Sequence, residues 1–257
     1  MSLDSVYKEC LKNILSLDIQ TQKKYLEVCC SVRNMKPDIL FKASAIFVPN
    51  DTYLLTYGGN EVLDDRNGLY RDGTCLWTEN ILFPFFDIGG TVVGFGGFNP
   101  RIYLTVHEQN DWSHNYYNYS TKDIMKKGNY LYMLPGTFER AWNDGYILIT
   151  DGIFDTLSLE QSGFNAGALC GSSLTEQIIA QLRIFKKVII LSDNDAAGYT
   201  LENKMKKYLH NCIFFHQGLY KDADDILKSE YGDEFKQKLT ECIHSPFLID
   251  SFYRTKF

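Results

Sequence analysis

The sequence predicts an α+β N-terminal subdomain followed by an α/β domain in which helices flank a parallel-sheet core. Three observations carry this prediction. Apolar residues follow a helical spacing near the N-terminus, residues 45–105 form short β-rich runs separated by turns, and buried-strand runs alternate with helical stretches after residue 144. Strands that alternate with helices are typical of a parallel sheet covered on both faces. We expect three parts, namely 1–143, 144–230 and a short C-terminal helical tail at 231–257.

The first part is expected to contain three helices, a β-hairpin and a long loop. The helices are expected at residues 3–15, at residues 21–30 and from Pro37 onward, where proline suits a first helical turn. Two β runs, 81–86 and 91–95, flank the turn residues 87–90 and predict the hairpin. Residues 106–120 are polar and aromatic, and we expect a loop there.

In the second part, four apolar runs predict strands and are separated by segments with helical spacing. The strands are expected at 146–150, 166–169, 188–191 and 212–215. The helices are expected at 154–161, 175–185, 197–209 and, in the tail, 233–242.

Composition excludes several classes of protein. Among 257 residues, 45% are hydrophobic and 23% are charged, which excludes an intrinsically disordered chain. Apolar runs are too short to span a membrane, and the N-terminus lacks a signal-peptide core, so we expect a cytoplasmic protein without membrane partners. Seven cysteines without a C-x-x-C pair argue against a disulfide framework and against a cysteine-rich zinc site. The net charge of −6 disfavours non-specific coating of DNA but permits a local basic groove.

Acidic residues concentrate directly after the predicted strands. Ligands of open parallel sheets bind beyond the carboxyl ends of the strands, so these side chains are expected to share one crevice. They are Asp151 and Asp155, then Asp193 and Asp195, and finally Asp222 and Asp224. Clustered carboxylates repel one another unless a hard divalent cation neutralises them, and Mg²⁺ prefers such oxygens. Individually, the same residues could instead cap helix N-termini.

Other catalytic motifs are absent from the sequence. There is no G-x-x-x-x-G-K-[ST] phosphate loop, and the glycines at 94–97 lack the third glycine of a dinucleotide fingerprint. The pair His107-Glu108 lacks the second histidine of H-E-x-x-H, because Asp111 stands there. Asp151 resembles the nucleophile of haloacid-dehalogenase-like phosphatases, but Ile153 replaces the second acid that those enzymes need.

The order of the acidic segments resembles the Toprim fold, which DnaG-type primases, topoisomerases and some nucleases share. The family pattern is a strand ending in E-G-x-x-D, a strand ending in D-x-D-x-x-G, and a later acidic pair. Its counterparts in this chain are Asp151-Gly-Ile-Phe-Asp155, Asp193-Asn-Asp195-Ala-Ala-Gly198 and Asp222-Ala-Asp224.

Upstream segments narrow the resemblance to the catalytic core of bacterial and phage DnaG-type primases. Residues 82–97 are similar to that family's F-P-I-x-D-x-x-G-x-x-x-G-F-G-G stretch, and residues 127–132 are similar to its K-G-x-x-L-Y-G segment. Residues 171–173 stand where the family has a G-T/S-S turn. The resemblance spans roughly residues 20–230 in the family's order.

The resemblance implies template-directed synthesis of short RNA primers on single-stranded DNA from ribonucleoside triphosphates, with Mg²⁺ or Mn²⁺ as cofactor and no zinc. It assigns catalytic, metal-binding and nucleotide- or template-binding roles to particular residues. The catalytic residues are Asp151 and Asp155; the metal ligands are Asp151, Asp193, Asp195, Asp222 and Asp224; the nucleotide- or template-binding residues are Lys127, Lys126, Arg101 and Asn194.

Departures from the family pattern leave two alternatives open. Asp151 replaces the family's glutamate, Phe98 and Tyr116 replace expected basic residues, and neither the zinc module nor the helicase-binding domain is expected here. A replicative helicase or a separate template-selecting protein is therefore an expected partner, and the small size favours a phage or other mobile element as the source. The alternatives are a Toprim-type metal-dependent nuclease and a catalytically degenerate, primase-like protein that binds single-stranded DNA or a replication protein.

Overall fold

A computed structural model describes residues 2–5, 7–8, 30–48, 70–71, 74–109, 116–120, 124–171 and 174–245. The chain divides into two compact units, residues 1–126 and residues 127–257. The helices expected at 3–15 and 21–30 lie largely outside the described residues. None of the helices in the described part of the chain combines the length and the apolarity that crossing a bilayer requires.

The first unit is built on an antiparallel sheet. Its elements are α1 (Pro37–Lys42), β1 (Ile46–Val48), β2 (Tyr70–Arg71), β3 (Thr74–Cys75), β4 (Asn80–Phe86), β5 (Val92–Phe98), α2 (Pro100–Gln109) and β6 (Tyr117–Tyr119). The sheet has the order β1-β4-β5-β6, and β2 pairs with β3 as a separate two-stranded ribbon.

The predicted hairpin is the pair β4–β5, and Asp87 organises its turn. Oδ1 of Asp87 accepts hydrogen bonds from the backbone N–H groups of Gly89 and Thr91, each at 2.9 Å. Gly90 has a φ of 78°, a left-handed conformation that glycine adopts without a steric penalty. The side-chain acceptor and the glycine together explain why the chain reverses here.

Two glycines of β5 allow close packing within the first unit. A methyl group on Gly94 would lie 2.7 Å from Sδ of Met125, and one on Gly97 would overlap the ring of Trp77. Both side chains are buried. The glycine-rich strand therefore accommodates core side chains that any larger residue would displace.

The segment expected as a loop at 106–120 contains regular structure at both ends. Helix α2 continues to Gln109 and β6 pairs antiparallel with β5, while residues 110–115 lie outside the described residues. Only Pro100 and Val106 of α2 are buried, which explains why its apolar spacing is inconspicuous in the sequence. The ring of Tyr117 packs 6.5 Å from that of Phe98, centroid to centroid.

The second unit is a three-layer α/β structure. Its elements are a 3₁₀ turn (Lys127–Asn129), β7 (Tyr132–Met133), α3 (Thr137–Asp144), β8 (Tyr146–Thr150), α4 (Ile153–Gln161), β9 (Ala166–Ala168), α5 (Glu176–Leu182), β10 (Lys187–Leu191), α6 (Ala196–Tyr208), β11 (Cys212–Phe214), α7 (Ala223–Lys228) and α8 (Gly232–His244). The sheet order is β11-β10-β8-β9-β7; its neighbours are parallel except for the antiparallel pair β9–β7.

Alternating side chains of the strands fill two cores, one on each face of this sheet. Ile147 and Ile149 of β8 pack on one side with residues of α3, α5 and α6. Leu148 packs on the other side with residues of α4, α7 and α8. Burial on both faces explains the continuous apolar runs that predict these strands.

The division into units differs from the boundary expected at 143/144. Residues 127–143 contribute β7 and α3 to the second unit, where Tyr132 pairs with Ala168 and Ala141 lies in the core. The helix expected in the tail is α8, and its Phe235 and Leu239 are fully buried in the other core. Both segments belong to this unit because they pair with or pack against its sheet, and local sequence patterns do not indicate such contacts.

Lys187 binds the C-terminal end of helix α8. Its ammonium donates hydrogen bonds to the carbonyl oxygens of Cys242, Ile243 and Ser245, at 3.0, 2.7 and 2.7 Å. The last carbonyls of a helix lack partners within the helix and favour a cation. Replacing Lys187 with methionine should therefore lower the free energy of unfolding by about 1–3 kcal/mol, since hydrogen bonds to charged groups contribute about that much. Urea denaturation measures the change.

The neighbouring exposed lysine is the control for this prediction. Lys186→Met removes the same charge one residue away, and its free energy of unfolding should stay within about 0.5 kcal/mol of the unmodified protein. Equal losses in the two variants would contradict a specific role of Lys187.

Candidate metal centre

The first acidic segment lies between β8 and α4. Asp155 stands in the first turn of α4, is 8% exposed, and accepts a hydrogen bond at 2.9 Å from the backbone N–H of Asp224. A methyl group on Gly152 would come 2.8 Å from Oδ2 of Asp155. The glycine thus leaves room for a carboxylate at the start of the helix, where the helix dipole favours negative charge.

Asp151 is held by the second acidic segment. Its Oδ2 accepts a hydrogen bond at 3.1 Å from the backbone N–H of Asp193, so the end of β8 and the end of β10 are joined at this point. Burial raises the pKa of Asp151, and the charges of Asp195 and Glu202 act in the same direction, whereas the N–H of Asp193 lowers it.

The loop after β10 is shaped by Asp195 and Gly198. Asp195 is the N-cap of α6, and its Oδ1 accepts the N–H of Gly198 at 2.9 Å. A methyl group on Gly198 would overlap the carbonyl oxygen of Asp193. Glycine at this position therefore permits the first turn of α6 to lie directly against the backbone of Asp193.

The third acidic segment precedes and opens α7. Asp222 caps the helix, accepting the N–H of Asp225 at 2.8 Å. Asp224 is 3% exposed, and its carboxylate accepts hydrogen bonds from the hydroxyl of Ser158 and from Lys228, whose ammonium is 2.6 Å away. Asp224 thereby links α7 to α4.

Asp155, Asp193 and Asp222 converge. Each offers one carboxylate oxygen, and these three oxygens lie within 4.8 Å of one another. Burial, followed by the charges of Asp151 and Asp222, raises the pKa of Asp193 to about 7. The pKa of Asp155 is also raised well above its ordinary value, first by burial and then by the charge of Asp222. A cation bound among these oxygens would offset this repulsion.

The structure gives the remaining predicted site residues different surroundings. Asp195 caps helix α6, and Asp224 pairs with Lys228. Asn194 uses both ends of its amide within the unit: Nδ2 donates to the carbonyl of Gly218 at 2.8 Å, and Oδ1 accepts from the hydroxyl of Tyr199 at 3.0 Å.

The predicted basic residues fall in both units. A methyl group on Gly171 would lie 3.4 Å from Nζ of Lys127, and the preceding residue, Cys170, donates its N–H to the carbonyl of Asp151 at 3.0 Å. Lys127 thus lies near Asp151, at the carboxyl end of β8 in its own sheet. Lys126 and Arg101 are exposed residues of the first unit, and Arg101 pairs with Glu79 at 3.2 Å.

Sequence reasoning missed Ser158 and Lys228, which determine where Asp224 points. The spacing of Asp224 and Lys228, four residues apart on a helix, is a recognisable signal for such an ion pair. The contact of Ser158 with Asp224 joins residues 66 positions apart, and no local pattern indicates it.

Residues 148–227 match the family model described as Toprim-like. The match runs from β8 to α7 and includes all three acidic segments. The second unit thus contains a Toprim-like domain with its acidic residues at the carboxyl ends of the parallel strands.

The chain is also similar to DNA primases. It is 35% identical over 197 residues to a DNA primase of Aquifex aeolicus, an alignment that covers 74% of this chain and 36% of that protein. The primase catalytic core of E. coli superposes with a TM-score of 0.70 at 23% identity, covering 93% of this chain and 78% of that one. A DnaG primase catalytic domain bound to single-stranded DNA gives 0.69 at 24% identity, with 92% and 78% covered. The chain is related to the DnaG-type primases and has the fold of their catalytic core, which confirms the resemblance indicated by its motifs.

The raised pKa of Asp193 predicts how the stability of the metal-free protein depends on pH. The folded protein favours the protonated carboxyl, so this contribution to stability is full below about pH 4 and is lost as the pH rises to about 7. The melting temperature without metal should therefore fall between pH 5 and pH 7, and Asp193→Asn should make this fall shallower. Divalent metal should raise the melting temperature most at pH 8, because binding requires the deprotonated carboxylate.

Asp233→Asn provides the control, because Asp233 is fully exposed on α8. Its pH profile should match that of the unmodified protein. A profile of Asp193→Asn that is as steep as that of Asp233→Asn would refute the assignment of the titration to Asp193.

Proposed function

We propose that the chain is a primase catalytic core that synthesises short RNA primers on single-stranded DNA by metal-dependent nucleotidyl transfer. The observation that carries this proposal is the convergence of Asp155, Asp193 and Asp222 at the carboxyl edge of the Toprim-like sheet. Two similarities support it: relatives are named DNA primase, and a similar catalytic domain was solved with single-stranded DNA. Because the chain spans about a third of the length of the Aquifex relative, its activity, substrates and partners are proposals.

The proposed cofactor is Mg²⁺ or Mn²⁺, held by Asp155, Asp193 and Asp222. The donor set consists of carboxylate oxygens, which these cations prefer. Burial, followed by the charges of Asp151 and Asp222, raises the pKa of Asp193, and a bound cation would stabilise its charged form. When bound, such a cation neutralises phosphate charge and polarises the phosphoryl group that is transferred.

The residues around the centre would orient the reactants. Asp151 stands where the resemblance places the catalytic glutamate, and the N–H of Asp193 fixes its carboxylate beside the centre. Asp195 and Asp224 hold the loops through their capping and ion-pair contacts. Lys127, near the same edge, would bind the phosphates of the incoming ribonucleoside triphosphate.

Template contacts are proposed for the first unit. Arg101 and Lys126 are exposed there and would contact template phosphates, while a replicative helicase or a template-selecting protein would supply functions beyond this core. These contacts should weaken with added salt, because they depend on phosphate charge.

Primer synthesis on a mixed-sequence single-stranded DNA tests the proposal. The full chain is incubated with four ribonucleoside triphosphates, one of them labelled, and with Mg²⁺ or Mn²⁺. Short labelled RNA is expected. Asp193→Asn and Asp222→Asn should reduce it by more than about 100-fold, since even changes beside a metal site cost about 10- to 100-fold.

A matched variant and a second readout distinguish the alternatives. Asp233→Asn changes the same residue type on the exposed face of α8 and should leave primer yield unchanged. Metal-dependent cleavage of the DNA without nucleotides would instead support a Toprim-type nuclease. DNA binding with neither synthesis nor cleavage, with and without a helicase, would support a catalytically degenerate binding protein.

A further inference from the structure

Two of the converging carboxylates come from different loops. Asp193 lies in the loop after β10 (residues 192–195), and Asp222 lies at the end of the loop after β11 (residues 215–222). The two negative charges repel one another, because an oxygen of the Asp193 carboxylate lies within 4.8 Å of an oxygen of the Asp222 carboxylate. Contacts between the loops must therefore offset this repulsion in the folded protein.

Two side-chain amides join the loops reciprocally. Nδ2 of Asn194 donates to the carbonyl of Gly218 at 2.8 Å, and Nε2 of Gln217 donates to the carbonyl of Ser192 at 3.0 Å. Each loop thus provides one amide donor and one backbone acceptor. The two bonded residues of the β10 loop, Ser192 and Asn194, are the immediate neighbours of Asp193.

The orientation of the Asn194 amide is determined by its partners. A backbone carbonyl can only accept, so Nδ2 must face Gly218, and the hydroxyl of Tyr199 donates to Oδ1 at 3.0 Å. A backbone hydrogen bond runs beside this contact, from the N–H of Asn194 to the carbonyl of Lys221 at 2.9 Å. On their exposed side, the two loops are therefore joined by one side-chain hydrogen bond and one main-chain hydrogen bond.

On their buried side, both loops contact helix α6. The hydroxyl of Ser192 donates to Oε1 of Glu202 at 2.7 Å, and Nδ1 of His216 lies 3.6 Å from the same oxygen. Gln217 and Glu202 are 1% and 6% exposed. Both loops consequently contact one buried carboxylate on α6.

We propose that Asn194 and Gln217 form an amide clamp that sets the separation of Asp193 from Asp222 and thereby the affinity of the centre for divalent metal. Neither amide needs to touch the metal or a substrate, so both are positioning residues. This inference rests on the proposed metal centre and assigns Asn194 a role other than nucleotide binding. Preorganised ligands bind more tightly because the cost of bringing them together is met on folding.

The test measures Mn²⁺ affinity of the full chain by electron paramagnetic resonance of the free ion. Asn194→Ala removes the exposed donor and keeps the main-chain bond to Lys221, so Mn²⁺ should bind about five- to tenfold more weakly. Gln217→Met should weaken binding at least as much. Tyr199→Phe, which only frees the amide to rotate, should have a smaller effect in the same direction.

Asn211→Ala is the matched control. Its Nδ2 also donates to backbone carbonyls, those of Leu182 and Phe185 at 3.2 and 2.7 Å, and Asn211 immediately precedes β11, at the opposite end of the strand from the acidic loop. This variant should lower the melting temperature and leave the Mn²⁺ dissociation constant unchanged. Unchanged Mn²⁺ affinity in Asn194→Ala, or an equal loss in Asn211→Ala, would overturn the clamp.

A metal-free readout separates failure of the clamp from failure of the proposed function. If the unmodified protein binds no Mn²⁺, the metal centre is refuted, and hydrogen–deuterium exchange of the metal-free protein decides about the clamp. Asn194→Ala should then accelerate exchange in residues 216–222, while Asn211→Ala should not. Equal exchange rates in Asn194→Ala and the unmodified protein would overturn the clamp without reference to metal.

Discussion

The repulsion among carboxylates at one edge of a parallel sheet is the constraint on which the second unit depends. Asp155, Asp193 and Asp222 come from three chain segments, yet their oxygens lie within 4.8 Å of one another. Burial strengthens this repulsion, because fewer water molecules screen the charges. Burial, followed by the charges of Asp151 and Asp222, raises the pKa of Asp193. Such an arrangement persists only where the surrounding structure holds it together.

The unit meets this constraint with hydrogen bonds and an ion pair that hold the acidic segments in place. The N–H of Asp193 donates to Asp151, and the N–H of Asp224 donates to Asp155, so the second and third acidic segments each supply a backbone donor to the first. Lys228 pairs with Asp224 at 2.6 Å, which offsets part of the charge of that buried carboxylate. These contacts hold the three acidic segments together.

Much of this arrangement was predictable, because continuous apolar runs mark buried parallel strands and acids follow them directly. The runs that form β8 and β10 precede Asp151 and Asp193, so the crevice follows from topology alone. The direction of each carboxylate was not predictable. Asp222 both caps α7 and joins the cluster, so the two interpretations of a strand-end acid are compatible, whereas Asp224 turns inward because it lies on the face of α7 that meets α4. Helix α2 was not predicted, because only two of its residues are buried and its apolar spacing is therefore weak.

Diffraction from crystals grown with Mn²⁺, measured at the manganese absorption edge, would locate the bound ion among the carboxylates. We expect an anomalous peak within bonding distance of the carboxylates of Asp155, Asp193 and Asp222, and we expect Asp224 to remain paired with Lys228. A peak on Asp224, or the absence of a peak among the three carboxylates at saturating Mn²⁺, would contradict this metal centre.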